Sequence, residues 1–134
     1  MSAGVCRVGD TSLLENVGCV LPATAIIVGS PTVFAEGLAV AFIGSNLFSH
    51  SCTDGTKKIS HTFRTISQGS PTVFVNGQAV AYIGCKITAI ASPPDIPCTD
   101  MMAKGSATVF VATPSPPTPT TIISGGGEGG GGLA

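Results

Sequence analysis

The sequence predicts an all-β fold made of three β-hairpin repeats closed on one another, and three observations carry that expectation. The first is self-similarity. Gly69-Ser-Pro-Thr-Val-Phe-Val-Asn-Gly-Gln-Ala-Val-Ala-Tyr-Ile-Gly84 restates Gly29-Ser-Pro-Thr-Val-Phe-Ala-Glu-Gly-Leu-Ala-Val-Ala-Phe-Ile-Gly44 almost residue for residue, and Gly105-Ser-Ala-Thr-Val-Phe-Val111 begins a third copy. The copies start 40 and then 36 residues apart, a period at which repetition signals stacked or radially arranged supersecondary units. The second is composition: Gly, Pro, Thr and Val dominate, and no stretch carries the amphipathic period of a helix. The third is permutation. Cys6-Arg-Val-Gly9-Asp10 matches the closing part of a hairpin, while Thr108-Val-Phe-Val111 matches only the opening part. Half a unit at each end predicts that the last strand pairs with the first, which removes sheet edges. Three copies in one chain predict a pseudo-threefold object.

Within each copy the order is turn, strand, tight turn, strand. Gly-Ser-Pro breaks the chain, Thr-Val-Phe extends it, and a two-residue connection leads into Gln78-Ala-Val-Ala-Tyr-Ile83 or Leu38-Ala-Val-Ala-Phe-Ile43. Asn76-Gly77 is the strongest short hairpin signal, because both residues tolerate the positive φ of a type I′ turn; Glu36-Gly37 stands in the same place in the first copy. Between hairpins lie the segments Thr11–Val28, Asn46–Gln68 and Lys86–Lys104, in which Ala25-Ile-Ile-Val28, Thr62-Phe-Arg-Thr-Ile66 and Thr88-Ala-Ile-Ala91 read as short strands. Residues 1–112 form the repeat domain. From Thr113 the composition shifts to Pro, Ser and Thr and then to Gly, so 113–134 reads as an extended tail.

Charged residues make up 10% of the 134 and the net charge is −1, so the basic stripe that phosphate neutralisation requires is missing and nucleic acid is not an expected partner. No apolar run approaches the ~18 residues of a spanning helix. Met1-Ser-Ala-Gly-Val-Cys-Arg7 has no basic start followed by an apolar core, so no secretory signal is expected. Five cysteines in such a chain point to a metal site before a disulfide framework. Cys6 and Cys85, among apolar or small neighbours at strand ends, read as small buried hydrophobes.

These repeats resemble the PAAR-repeat proteins that tip the spikes of type VI secretion systems, contractile phage tails and related particles. The family repeats Gly-Ser-Pro-Thr-Val-Phe-Val-Asn-Gly, a Pro-Ala-Ala-Arg stretch and Val-Gly-Asp. Here the likeness runs from about Ala3 to Val111, with Ala39-Val-Ala-Phe42 and Ala79-Val-Ala-Tyr82 in place of the namesake stretch, and only Arg7-Val-Gly-Asp10 keeping the Arg and Asp. The resemblance implies a short pointed cone. Its base would sit on the blunt end of a trimeric β-helix spike, where three quasi-repeats in one copy match a trimer's symmetry. Its apex would bind a metal, usually zinc with iron the alternative, through His and Cys.

In the family the ligands come from the loop before each Gly-Ser-Pro. Aligned so, the candidates are His61, Cys98 and Cys19, with His50 or Cys52 as the fourth and Pro22 standing where many members have a His. The alternatives are an exposed loop histidine, a buried Cys98 thiol, or a disulfide such as Cys52–Cys98. Cys52, His61 and Asp54 lie close enough in sequence to raise a Cys–His nucleophilic enzyme, but a small hairpin body offers little cleft. Asp10, Glu15, Asp54, Asp95, Asp100 and the lysines read as solvated loop charges. Phe34, Phe74 and Phe110 recur at one repeat position and read most simply as a layered core, or else as an apolar base.

The expected function is a structural, non-enzymatic spike tip, one copy per trimeric spike, assembled in the bacterial cytoplasm and delivered outward on a contractile particle. It would contact a target membrane only in passing and take no small-molecule substrate. The alternatives are an adaptor that recruits an effector or cargo, a small metal or cysteine enzyme, and a secreted binding module.

Overall fold

The computed structural model describes residues 1–114, so the expected tail lies outside the described residues from position 115 onward. Among the described residues there is no helix. The strands are short: β1 (Ser2–Gly4), β2 (Glu15–Asn16), β3 (Val20–Leu21), β4 (Phe34–Ala35), β5 (Leu38–Ala39), β6 (Asn46–Leu47), β7 (His50–Asp54), β8 (Lys57–Ile66), β9 (Phe74–Val75), β10 (Gln78–Ala79), β11 (Ile87–Ser92) and β12 (Phe110–Ala112).

The repeat hairpins form as the sequence predicts. β4 pairs with β5 and β9 with β10, and the connecting Glu36, Gly37, Asn76 and Gly77 have φ of 55°, 81°, 50° and 81°, the left-handed values a type I′ turn requires. β1 pairs antiparallel with β12, Gly4 opposite Phe110, as Ala39 is opposite Phe34 and Ala79 opposite Phe74. The two ends of the chain thus make the third hairpin between them.

The three copies meet in a closed cycle. Ala41 N–H donates to the Cys6 carbonyl (2.9 Å), Cys6 N–H to Ala81 (3.0 Å), and Ala81 N–H back to Ala41 (2.9 Å). Equivalent bonds run in step on one side (Val8 to Ala39, Ile43 to Ala79, Ile83 to Gly4) and on the other (Gly9 to Ile26, Gly44 to Ile66, Gly84 to Met102). Each copy donates to one neighbour and accepts from the other, so these backbone groups leave no free edge. Cys6, Ala41 and Ala81 are fully buried at the junction, within a core that includes Val5, Val40, Val80, Ile26, Ile66 and Met102. Only small side chains occupy the ring where three backbones converge.

The recurring Gly-Ser has a packing cause. A Cβ at Gly69 would lie 2.7 Å from Ala79 Cβ, and Cβ atoms at Gly29 and Gly105 would each come within 2.8 Å of a neighbouring side chain. The following Ser30, Ser70 and Ser106 are buried, and each Oγ accepts the backbone N–H three residues on, from Val33, Val73 and Val109.

Hairpin turns also clasp neighbouring copies. Ser30 Oγ donates to Asn76 Oδ1 (2.5 Å), while Ser106 and Thr108 donate to the Glu36 carboxylate (2.8 and 2.5 Å), which also receives Arg7 Nη1 (2.5 Å). Hydrogen bonds from Thr108 and Ser106, with the Arg7 charge, hold the Glu36 carboxyl below its ordinary value. A carboxyl more acidic folded than unfolded stabilises the fold above its unfolded value and loses that effect as pH falls through the folded one. Urea midpoints followed from neutral pH to about pH 3 are therefore expected to show wild type above Glu36→Gln at neutral pH and the two converging in acid. A constant gap would show that the charge is not involved.

The segment before the second repeat is longer than a connection. β7 and β8 form a hairpin with His50 opposite His61 and Asp54 opposite Lys57, turning at Gly55, whose φ is 65°; β8 continues against β6 and β11. The register between β8 and β11 shifts between Thr88 and Ile90, where Phe63 takes a φ of 51°. This bulge turns Phe63 to solvent and the next residue, Arg64, fully inward.

Inside, Arg64 pairs with Asp100, donates to Thr24 Oγ1, and reaches Ser12 Oγ and the Phe48 carbonyl at 3.0 Å each. Thr24, Arg64 and Asp100 stand 40 and 36 residues apart, the repeat spacings, so one interior position of the three copies is filled by a polar trio. Two expectations are corrected here. Asp10, Glu15 and Asp100 are buried rather than solvated, because each finds a cation or N–H donor, Asp10 from nearby Arg7 and the other two from Thr99 and Arg64 in distant segments. Phe34, Phe74 and Phe110 are not a layered core: they are 58%, 59% and 57% exposed while the adjacent Ala35, Val75 and Val111 face inward, the period-2 alternation of a strand with one face in water.

Candidate metal centre

The expected ligands divide into two groups. His50 and His61 face each other across β7 and β8, with rings 5.5 Å apart, and both are buried. Cys98, half-buried beyond β11, also points here. They converge on Glu15, the first residue of β2. Its Oε1 lies 3.1 Å from His61 Nδ1, 3.4 Å from His50 Nε2 and 4.0 Å from Cys98 Sγ, and its Oε2 accepts the Thr99 N–H and hydroxyl at 3.0 and 3.2 Å. Asp100 closes the far side, within 4.8 Å of Glu15 and His50 donor atoms.

The hydrogen bonds assign the proton on His50. Nδ1 is 2.7 Å from the Pro22 carbonyl and so carries the N–H, leaving a lone pair on Nε2, which is buried and has no hydrogen-bond partner among the described residues. Burial pulls the His50 pKa below its ordinary value, which favours this neutral form. An imidazole fixed through one nitrogen by a backbone carbonyl, with the other bare and aimed at a carboxylate, is the arrangement of a metal ligand. His61 Nε2 is 3.0 Å from the Ile96 carbonyl, so His61 too is held through one nitrogen and meets Glu15 with the other. Burial raises the Cys98 thiol; a cation at this position would drive off its proton.

Cys19 and Cys52 do not join this cluster as thiolates. They are bonded to each other, with Cα atoms 5.9 Å apart, because the β2–β3 hairpin carrying Cys19 lies against β7. A disulfide sulfur offers no thiolate to a metal, which corrects the expectation that both are ligands; it also corrects the weighed Cys52–Cys98 pairing. The same bond leaves Cys52 without the nucleophile that a Cys–His enzyme needs. Cys6 and Cys85 are fully buried.

Glu15 is the residue the sequence reading missed. The signal was in the repeat: Glu15 and His50 are 35 residues apart, as Cys6 and Ala41 are, so they are one position in two copies. The donors form two triads that share Glu15, one with His61 and Cys98 and one with His50 and Asp100, each with its ligand atoms within 4.8 Å of one another. Donors about 2.0–2.3 Å from zinc lie about 3.3–3.8 Å from one another, and the separations from Glu15 Oε1 to His61, His50 and Cys98 fall around that range.

A family model described as PAAR motif matches residues 22–92. The match takes in both complete hairpins together with His50, Cys52 and His61. No curated protein matches the chain.

Proposed function

Because the chain belongs to the PAAR-motif family, we propose that it caps the blunt end of a trimeric β-helical spike, one copy per trimer, and sharpens that spike for passage through a target envelope. One observation carries the proposal. Phe34, Phe74 and Phe110, one from each copy, are exposed to within 2% of one another, and the neighbouring Val33, Val73 and Val109 share a similar exposure. A single chain that presents the same apolar pair three times suits a partner made of three identical chains. Exposed apolar groups in threefold repetition are a binding surface rather than scatter. The particle is a contractile secretion system or phage tail, with the protein at the tip of its central spike and the target membrane met only transiently; the work is mechanical and not enzymatic. A second patch, Phe48, Phe63 and Ile90, more than half exposed on the β6, β8 and β11 flank, favours an additional adaptor role toward a cargo protein.

The metal we propose is zinc, with iron the alternative, held around Glu15 by His61 and Cys98 and drawing in His50, whose Nε2 faces the same carboxylate. It would tie the β2–β3 hairpin, the β7–β8 hairpin and the segment around Cys98 together at one point, a closure that contributes on the order of 10 kcal/mol in small zinc peptides. Elemental analysis is expected to give about one zinc per chain. His61→Ala and His50→Ala should each lower both zinc content and melting temperature, whereas unchanged zinc in both variants would remove the histidines from the site.

A further inference from the structure

We propose that the Cys19–Cys52 disulfide is a redox-operated clamp on the metal site, tightening it without supplying a ligand. The inference rests on the metal reading above. Cys19 lies in the turn of the hairpin that begins at Glu15, and Cys52 lies two residues beyond His50 on the strand that pairs with His61. The bond therefore joins the element carrying the carboxylate to the element carrying both imidazoles.

The hairpin needs such a tie. Its ladder is only two residue pairs, Glu15 with Leu21 and Asn16 with Val20, and among the described residues it belongs to no larger sheet. Leu21 is fully buried, but Leu13, Leu14 and Val20 are each about half exposed, so little apolar burial holds it down. An isolated two-stranded ladder of this size is marginal in water. Non-covalent help comes from His50 Nδ1 donating to the Pro22 carbonyl and from Thr99 donating to Glu15 Oε2, both of which hold ligand residues rather than the turn. Closing a loop with a sequence separation of 33 removes freedom that metal binding would otherwise have to remove.

Formation of the clamp is thiol–disulfide exchange with a small-molecule disulfide. The thiolate of one cysteine attacks a sulfur of the oxidant and expels one thiol; the second thiolate attacks the resulting mixed disulfide and expels the other. Two protein thiols lose two protons and two electrons, and one external disulfide becomes two thiols. Cys98 stays reduced as a ligand, so the site is looser in a reducing compartment and tighter once the particle meets oxidising surroundings.

Zinc competition against a chromophoric chelator separates the outcomes, using oxidised wild type, wild type reduced with a phosphine, and Cys19→Ser/Cys52→Ser. All three are expected to bind one zinc, the last two about tenfold or more weakly, a loss typical of removing a ligand's outer support. The cobalt(II)-loaded forms should show the same charge-transfer absorption, that of one thiolate. Equal affinities in oxidised and reduced protein would overturn the clamp. So would stronger thiolate absorption after reduction, which would make Cys19 or Cys52 a ligand. If the serine variant does not fold, reduced wild type carries the comparison. Failure here leaves spike capture through the three phenylalanines intact, and loss of zinc in His50→Ala tests the metal reading separately.

Discussion

Arg64→Ala is expected to lower the unfolding free energy by about 3–5 kcal/mol, the range for removing one partner of a buried ion pair. Arg64 has no exposed surface and gathers Asp100, Thr24, Ser12 and the Phe48 carbonyl from four separate segments. Without it, Asp100 keeps the Met101 N–H at 2.8 Å but loses its cation, and burial already holds its pKa above the ordinary value. Replacing both partners, as in Arg64→Met/Asp100→Leu, should restore most of the loss, since apolar groups of similar volume need no partner; among the described residues Arg64 Nε is buried without one even now. Urea unfolding of the three proteins checks this. A cost under about 1 kcal/mol for Arg64→Ala would show that the trio is not what holds the interior.

The triple variant Phe34→Ser/Phe74→Ser/Phe110→Ser should bind a blunt trimeric β-helix more than about 100-fold more weakly, because central aromatic anchors each contribute about 2 kcal/mol or more at protein interfaces. Its own stability should change little. The three rings are each more than half exposed, so the folded monomer gains little from them. Single variants should fall between, and Phe63→Ser, which removes an even more exposed ring on the bulge of β8, should leave capture unchanged. Pull-down with the spike, read as copies per trimer, decides it. Wild-type capture by the triple variant, or three copies per trimer, would end the docking proposal.

The hairpins were legible because everything that specifies them is local. Asn76-Gly77 and Glu36-Gly37 carry their own turn preference, and Gly-Ser-Pro carries the close approach and the serine turn, so three copies announce themselves in one dimension. The meeting of β1 with β12 was also legible, since the halves at the two ends complete one another. The exposure of Phe34, Phe74 and Phe110 was not. A ring at alternating positions of a short strand can face core or water, and only the packing of Ala35, Val75 and Val111 inward settles which.

The proposed metal site divides along the same line. His61 and Cys98 could be offered as ligands by residue type and distance from the next Gly-Ser, and His50 by residue type in the longest loop. Repeat spacing puts Glu15 at the position of His50 but does not mark it as the hub, because its partners His61 and Thr99 lie 46 and 84 residues away, and a carboxylate's burial depends on donors that no local pattern reveals. The same holds for the thiols: residue type offered Cys19 and Cys52 as ligands, whereas the approach of the β2–β3 hairpin to β7 joined them to each other. Local chain chemistry sufficed for turns, strands and the threefold repetition, since backbone preference acts over a few residues. The choice of which charges are buried, which sulfurs pair and which aromatic rings stay in water belonged to the closed body, because those energies arise only when segments distant in sequence exclude water from one another.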